Sequence, residues 1–559
     1  MKKFLLLILA IVFAKFNINA QTWTQYYSGA GTQNCNGAVP YIDYYDGTMK
    51  SIMLSGFTDY EGAGGQDAYF IRTDMNGNTI LTKTRGSISD EIINSISPFT
   101  RQSMYDIPNF ILGGYTTKNG NKDALVYVVD TLGNAAETGY TDSLIISNDI
   151  GDDEIYSIKY ANEGVAFGAG YSTNLLGNKD FYFMRVAQQY PLDTSFTLTF
   201  GGSGNDVAKG LTGDGYQYWC MAGYSNSFND GSNNDIYIVN YDDVQGTLAW
   251  DTTFGGTGED IANDIEFDQN NGNYYIVGST NSYGNGGKDV YIIKLDYNGG
   301  FLWEKTYGGI GDDEALNVYL QQGDGYFNII VTGYTIKDGS SDKDAYVLKL
   351  NESGDTLWTK TFGQQGIDDV ATSAIYNNCE WYFSGTSGDE MFLSKFAEPA
   401  IPLTFTTTDV SCYGYSDGDV TVEVPTAYEN GMISYTWSGG GASAKIADSQ
   451  STTNENRSGY NYSLSAGIYY VTVYDGFCNT IDSVEIFQPT ALTATHLQLV
   501  KGCYSDTDKV AVVTPTGGTP PYGYNWLSTG SSDSIATMLS VGIQNFEIWD
   551  NNGCTFFDT

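Results

Sequence analysis

One aspartate recurs at a nearly fixed interval through the first 396 residues, and that interval constrains the fold more than any other feature of the chain. Each copy opens an aromatic or apolar run: Asp67 (QDAYFIR), Asp123 (KDALVYV), Asp180 (KDFYFMR), Asp235 (NDIYIVN), Asp289 (KDVYIIK), Asp344 (KDAYVLK) and Asp389 (GDEMFLS). Successive gaps of 56, 57, 55, 54, 55 and 45 residues mark seven units. One unit, Thr253 to Gly309, holds four short runs, IANDIEFD, NYYIVGST, DVYIIKLD and FLWEKTY, separated by Asn, Gly and Asp clusters. Partial apolar alternation over such lengths predicts strands, and four per unit predict an antiparallel meander. A strand-built period of this size is the signature of a propeller blade, not of a helical solenoid. The expected fold is therefore all-β, beginning with a seven-bladed β-propeller over residues 21–397.

The chain ends bear on closure. Inner units finish on a Trp-bearing strand such as LWEKTYGGIG (Leu302 to Gly311) or LWTKTFGQQG (Leu357 to Gly366), whereas the seventh stops at Phe396 without one. The segment Trp23-Thr-Gln-Tyr-Tyr-Ser-Gly-Ala-Gly31 carries the same Trp, aromatic and Gly pattern. It is expected to supply the outer strand of the last blade, which leaves no open edge in the ring. In register, the units read GGxGxD, then a VxGxT or AGYS strand, then an Asp-aromatic strand, then a Trp-bearing strand. Over Trp23 to Phe396 this resembles the SBBP-type bacterial β-propeller repeat. The resemblance implies a fold rather than an activity, because propellers host many functions.

Met1 to Ala20 reads as a signal peptide. Lys2 and Lys3 precede an apolar core, Phe4 to Ala14, too short to span a membrane, and Ile18-Asn19-Ala20 is an acceptable cleavage site. Export is expected, and no later stretch approaches the ~20 apolar residues of a transmembrane helix. With 66 acidic against 26 basic residues the formal charge is −40, which argues against nucleic acid and anionic membrane as partners.

Beyond Phe396 the period fails. Residues 398–403 contain two prolines and read as a linker, followed by modules at 404–489 and 490–559. The first carries VSCYGYSDGDVTVEV, ISYTWSGG, LSAGIYYVTVYDGFC and VEIFQP; the second carries KGCYSDTDKVAVV, TGGTPPYGYNWLSTG and LSVGIQNFEIWDNNGC. Alternating strands with a Cys near each end predict two small Ig-like β-sandwiches. Cys412, Asp417-Gly418, Tyr435-Thr436-Trp437, Leu464, Gly467, Asp475 and Cys478 resemble the SprB repeat, as do Cys503, Tyr524-Asn525-Trp526, Leu539, Gly542, Asp550 and Cys554 in the second copy. The second copy departs where Asp508-Lys509 replaces Asp-Gly. That family is associated with cell-surface filaments and adhesins of Bacteroidetes, so the resemblance implies surface display. In such modules Cys412 is expected to pair with Cys478 and Cys503 with Cys554, closing loops of 66 and 51 residues. Each loop would contribute ~4 kcal/mol in the chain-entropy model. Cys35, Cys220 and Cys379 are expected to be buried free thiols. The second module breaks off at Thr559 where the first continues through Val484 to Pro489, so the chain is expected to extend further.

The chemistry available to the first 397 residues is narrow. The single His, His496, lies in the second module, which excludes Ser-His-Asp, Cys-His and His-zinc arrangements from the propeller. Carboxylates recur at the turn that opens each innermost strand: Asp90, Asp152 and Asp153, Asp206, Glu259 and Asp260, Asp312 and Asp313, Asp368 and Asp369. The first unit departs, with Gly31-Thr-Gln-Asn-Cys35. Periodicity favours a structural role, short acids accepting backbone N–H bonds from Gly-rich turns. Asp153, Asp206, Asp260, Asp313 and Asp369 are also candidate ligands for a hard cation such as Ca²⁺. The seven period-marking aspartates, Asp67 to Asp389, are expected to tie their own hairpins. Tyr60, Tyr115, Tyr171, Tyr224, Tyr283 and Tyr334 suit either sugar stacking or packing between blades, and their recurrence favours packing.

These features predict a non-enzymatic binding or adhesion protein, exported and held at the cell surface or outside it. The propeller would present a rigid platform to a protein or polysaccharide partner, with the sandwiches as spacers. Two alternatives remain: a secreted polysaccharide hydrolase or lyase using a carboxylate pair, and a purely structural stalk component. A non-repeated Asp/Glu pair in a pocket, one member with a raised pKa, would favour the enzyme. A deep ligand-sized pocket would weigh against the stalk.

Overall fold

Short apolar runs between Gly, Asn and Asp turns become strands along the whole chain. The computed structural model describes residues 22–559 apart from 30, 44–45, 61, 100–108, 135–142, 148–149, 162–163, 188–191, 229–232, 324–326, 429–432, 440–457 and 500–508. The signal-peptide expectation for 1–20 therefore falls outside the described residues. The chain divides into two compact units, Met1–Glu398 and Pro399–Thr559. Among the described residues the strands form seven four-stranded and four three-stranded sheets, and the helical content is one 3-10 turn, Thr426–Tyr428. No helix among them is long and apolar enough to cross a membrane.

All seven four-stranded sheets belong to the first unit and are antiparallel. Their first strands are Gln33–Ile42, Glu91–Phe99, Asp153–Tyr160, Asp206–Gly213, Asp260–Asp268, Asp313–Gln322 and Asp369–Asn377. Six sheets run first to fourth strand in chain order. In the seventh, Trp23–Tyr27 forms the edge and pairs with Glu390–Ala397, Trp23 opposite Lys395 and Tyr27 opposite Met391.

Burial follows position in the sheet. The second and third strands of the fifth sheet, Asn273–Thr280 and Asp289–Asp296, are buried almost throughout, whereas its fourth, Phe301–Tyr307, has only half-buried and exposed residues. Strands covered on both faces read as continuous Val, Ile and Tyr runs, because neighbouring sheets supply the cover. One such core joins Cys220, Ala222, Ile236 and Ile238 of the fourth sheet to Ala262, Ile265, Tyr274 and Ile276 of the fifth. Another joins Tyr382, Met391 and Leu393 of the seventh to Ile52, Leu54 and Ile71 of the first. The order of packing thus returns from the last sheet to the first. Each fully buried Leu, Ile or Phe contributes about 1.5–3 kcal/mol, so the stacked faces hold the unit together.

In the second unit, Thr404–Thr408, Gly418–Glu423 and Ser458–Leu464 form one sheet, and Ser434–Gly439, Gly467–Tyr474 and Asn479–Ile486 another. Val420, Val422, Trp437, Tyr469, Val471 and Ile486 meet between them. Residues 490–559 repeat the scheme with a smaller core around Trp526, Phe546 and Ile548.

The cysteines depart from expectation at two places. Cys412 is bonded to Cys554, across 142 residues and with 5.6 Å between Cα atoms, rather than to Cys478; Cys554 is therefore not joined to Cys503, which lies outside the described residues. The reason is local: the segment at Ser411 lies beside the turn before Cys554, where Asn552 Nδ2 donates to Ser411 O at 3.0 Å. The cysteine that begins the first module thereby meets the one that ends the second. Four cysteines allow three pairings, and a one-bridge-per-module scheme selects among them without knowing how the modules pack. Cys379 is disulfide-bonded, whereas Cys35 and Cys220 are buried free thiols. Cys379 sits with Asn378 in a two-residue turn, both at positive φ (63° and 49°), outside the strand core that shelters the other two.

Candidate functional site

The recurrent acids make two kinds of tie between neighbouring sheets. The first acid of each turn accepts a backbone N–H from the entry to the third strand of the preceding sheet. Asp90 takes Gln66 N at 2.9 Å, Asp152 takes Lys122 N at 2.9 Å, Asp312 takes Lys288 N at 2.9 Å and Asp368 takes Lys343 N at 2.9 Å. Asn205 does the same for Lys179 N at 3.0 Å. The second acid folds back on the turn before it. Asp206 accepts Gly202 N at 2.8 Å, Asp260 accepts Gly256 N at 2.8 Å, Asp313 accepts Gly309 N at 2.7 Å and Asp369 accepts Gln364 N at 2.7 Å. Ser227 and Ser282 hydroxyls add bonds to Asp206 (2.7 Å) and Asp260 (2.5 Å). Asp153 is buried at the corresponding position, and Glu91 fills it in the second sheet, accepting Ser87 N at 2.8 Å.

The period-marking aspartates stand opposite these second acids across a glycine. A Cβ on Gly308 would lie 2.5 Å from both Asp289 Oδ1 and Asp313 Oδ2, so glycine is required there for the close approach. Burial first, and then the facing acid, raises the Asp180 and Asp289 carboxyls above their ordinary range; the facing acids are Asp206 and Asp313. Asp67 follows the same order, with Glu91 opposite. Asp289 accepts Asn285 N at 2.8 Å and Asp344 pairs with Lys337 at 2.7 Å. Asp123 is buried, Asp235 half-buried and Asp389 exposed. Among the described residues no group of three or more His, Cys, Asp or Glu is placed to hold a metal ion.

The tyrosines divide. Tyr171 and Tyr334 are buried, and Lys179, Lys343 and Lys122 place Nζ 3.8, 4.0 and 3.9 Å from the ring centres of Tyr171, Tyr334 and Tyr115. Tyr224 is half-buried, while Tyr60 (65% exposed) and Tyr283 (44%) remain open.

The feature that stands out lies at the inner end of the sheets. Every first strand carries a β-bulge, and the skipped residues are Asn36, Asn94, Tyr156, Lys209, Asn263, Leu316 and Thr372. All seven line one cavity of about 500 Å³. A bulge turns its extra residue out of the ladder, and here it turns each one toward the shared space. Four of them link sheet to sheet. Asn36 Nδ2 donates to Ile93 O (2.8 Å), Asn94 Nδ2 to Ile155 O (2.9 Å), Asn263 Nδ2 to Ala315 O (2.8 Å) and Thr372 Oγ1 to Cys35 O (3.1 Å). The residue after the bulge forms a second belt: Ser95, Asp264 and Ser373 side chains accept Ile158 N (3.2 Å), Val318 N (3.1 Å) and Ala38 N (3.0 Å).

The repeat breaks on one side of this cavity. Tyr156 and Lys209 stand in adjacent sheets where bridging amides occur elsewhere, and Lys209 Nζ lies 3.3 Å from the Tyr156 ring centre. Burial pushes the Lys209 amine down to about 8. Lys159 Nζ and Glu266 Oε2, from the third and fifth sheets, form an ion pair at 3.0 Å. Asp264 also accepts Asn317 Nδ2 at 2.7 Å, and burial raises its carboxyl to about 6 against the lowering pull of Lys159. Glu154 gathers Lys122 (2.8 Å), Asn94 Nδ2 (3.0 Å) and Tyr171 OH (3.2 Å), and Glu314 gathers Asn263 Nδ2 and Tyr334 OH, both at 2.8 Å. Sequence reasoning ranked none of these cavity residues as a site. The signal was present, since the bulge residue falls three positions after the second acid: Asp206 to Lys209, Asp260 to Asn263, Asp369 to Thr372.

Residues 404–442 match the family model of the SprB repeat. Among curated proteins none matches the chain in sequence. Of solved structures, a crystal structure of S. cerevisiae core factor aligns at 11% identity with a TM-score of 0.38, covering 69% of this chain and 63% of that one.

Proposed function

We propose that the chain is an exported binding or adhesion protein of the bacterial cell surface. In this reading the seven packed sheets are the blades of an SBBP-type propeller serving as a rigid platform, and residues 404–489 and 490–559 are Ig-like SprB modules that hold it away from the cell. The observation that carries the reading is the SprB match over 404–442. The return of packing from the seventh sheet to the first supports the propeller assignment, and the bonds made by the recurrent acids and amides support a scaffold whose rigidity is built in at every junction. Protein or polysaccharide is the partner class, and the −40 charge disfavours nucleic acid. The test is labelling of intact producing cells with an antibody to residues 22–398, alongside surface shaving by protease. Labelling and loss on shaving are expected; signal that appears only after lysis would overturn the proposal.

Asp264 and Glu266 favour one second reading, a secreted polysaccharide hydrolase or lyase. They are not repeated in the other sheets, line a ligand-sized cavity, and one has a carboxyl raised toward neutrality. Two residues apart on a strand, they stand on one face of the sheet, as a pair of carboxylates working on one glycosidic bond must. Against it, Asp264 already accepts Val318 N and Asn317, and Glu266 is held by Lys159. Reducing-sugar or unsaturated-uronide release that is abolished in Asp264→Asn would establish it; no release from a panel of acidic and neutral polysaccharides would remove it.

A further inference from the structure

Lys209 is the residue of the cavity whose charge is least matched. Lys159, on the same wall, has Glu266 at 3.0 Å. Lys122 has Glu154 at 2.8 Å. Among the described residues Lys209 forms no ion pair, and its close neighbour is the Tyr156 ring. A ring face attracts an ammonium but offers no counter-charge, and a buried ammonium without one is costly. An anion arriving from the cavity would offset that cost. The surrounding surface narrows which anion. Asn36, Asn94, Asn263, Ser157 and Thr372 line the same space with amides and hydroxyls. A cavity of about 500 Å³ lies in the range that holds small ligands, here one or two sugar rings. The chain's net charge of −40 opposes a multiply charged phosphate ester more than a singly charged carboxylate, and one ammonium matches one charge.

We propose that the cavity binds a small polyhydroxylated carboxylate, an acidic sugar unit, with its carboxylate on Lys209 beside Tyr156 and its hydroxyls on the amide belt. This deepens the binding reading and rests on it, but the measurement is made in solution and does not depend on where the protein resides. Lys209 is the charge-recognition residue. Tyr156 positions it, holding the ammonium at the cavity wall. The charged groups acting on Lys209 from neighbouring elements are Glu154 and Glu314, which favour its protonated form, and Lys179 and Lys122, which oppose it. Lys159, Asp264 and Glu266 share the cavity. Binding therefore requires protonated Lys209 and weakens as pH rises through about 8.

The test is isothermal titration of the full chain with sodium D-glucuronate, and with D-glucose as the uncharged control, at pH 6.5 and pH 9. Saturable glucuronate binding at pH 6.5, at least tenfold weaker at pH 9 and absent for glucose, is expected. Lys209→Met should abolish it and Lys209→Arg should retain it. Equal binding of glucose and glucuronate, no glucuronate binding at pH 6.5, or binding unchanged in Lys209→Met would each overturn the proposal. Should Lys209→Met fail to fold, the pH pair on the unaltered chain together with Lys209→Arg decides it. Failure here with cell-surface labelling intact would remove the acidic-sugar site and leave the adhesion reading standing.

Discussion

Asp264 occupies the place that Ser95 and Ser373 hold in their sheets, accepting a backbone N–H from the next first strand, and so puts an ionisable group where a hydroxyl suffices. Its carboxyl is raised to about 6 by burial, with Glu266 adding to the rise and Lys159 opposing it. A folded-state value above the unfolded one means that the folded protein binds the proton more tightly. The associated stability is fully present below pH ~4 and is lost as pH rises through about 6. Asp264→Asn keeps an acceptor for Val318 N and removes the titration. Relative to the unaltered chain, the variant should therefore gain about 1 kcal/mol on going from pH 5 to pH 7.5. Denaturant midpoints of both proteins at the two pH values measure this, and parallel pH profiles would contradict it. The core thiols differ in kind: Cys35 is pushed up to about 11 by burial and Cys220 is raised further in the same direction, so both should resist alkylation of the folded protein at pH 8. Iodoacetamide labelling followed by peptide mass analysis checks that, with modification expected only after unfolding.

At the scale of the element, the turn between sheets explains the motif that dominates the sequence. In GGIGDD the first glycine, Gly308, admits two carboxylates at once, the second, Gly309, donates to Asp313, and Asp312 reaches back to Lys288 N. Gly308→Ala should destabilise the first unit by about 1–3 kcal/mol, because a methyl group cannot fit 2.5 Å from two carboxylate oxygens. Asp313→Asn should behave oppositely. It retains an acceptor for Gly309 N, replaces a like-charge contact with Asp289 by an amide donor, and should be neutral or slightly stabilising at pH 7. Thermal unfolding of the two variants gives the contrast directly; equal losses in both would mean that the carboxylate pair is not the constraint. The period of about 55 residues made the four-strand unit legible, since alternation and Gly/Asn punctuation are local properties. The turn acids were legible as backbone acceptors for the same reason. Lys209, Tyr156 and Asp264 were not, because a β-bulge is set by how two strands register and leaves no local composition signal. Only superposing the seven units on their second acid brings the irregular column into view.

At the scale of the whole molecule, the bond between Cys412 and Cys554 changes what residues 399–559 are mechanically. With one bridge per module each sandwich would be closed separately, and a pulling force or a local unfolding event in one would leave the other untouched. The bridge between Cys412 and Cys554, across 142 residues, instead closes both modules into one loop, which in the chain-entropy model contributes about 5 kcal/mol to the pair jointly. The two cores are unequal. The first packs Trp437, Tyr469 and a set of valines, while the second rests on a smaller group around Trp526 and Phe546, so the second depends more on the shared bridge. Replacing Cys412 and Cys554 together by Ser should therefore split one cooperative transition of this unit into two, with the second module melting first. Calorimetry on the full chain, combined with limited proteolysis, would show the new low-temperature transition and early cleavage within 490–559. A single transition, shifted but not divided, would mean that the contact around Ser411 and Asn552 couples the modules without the bridge.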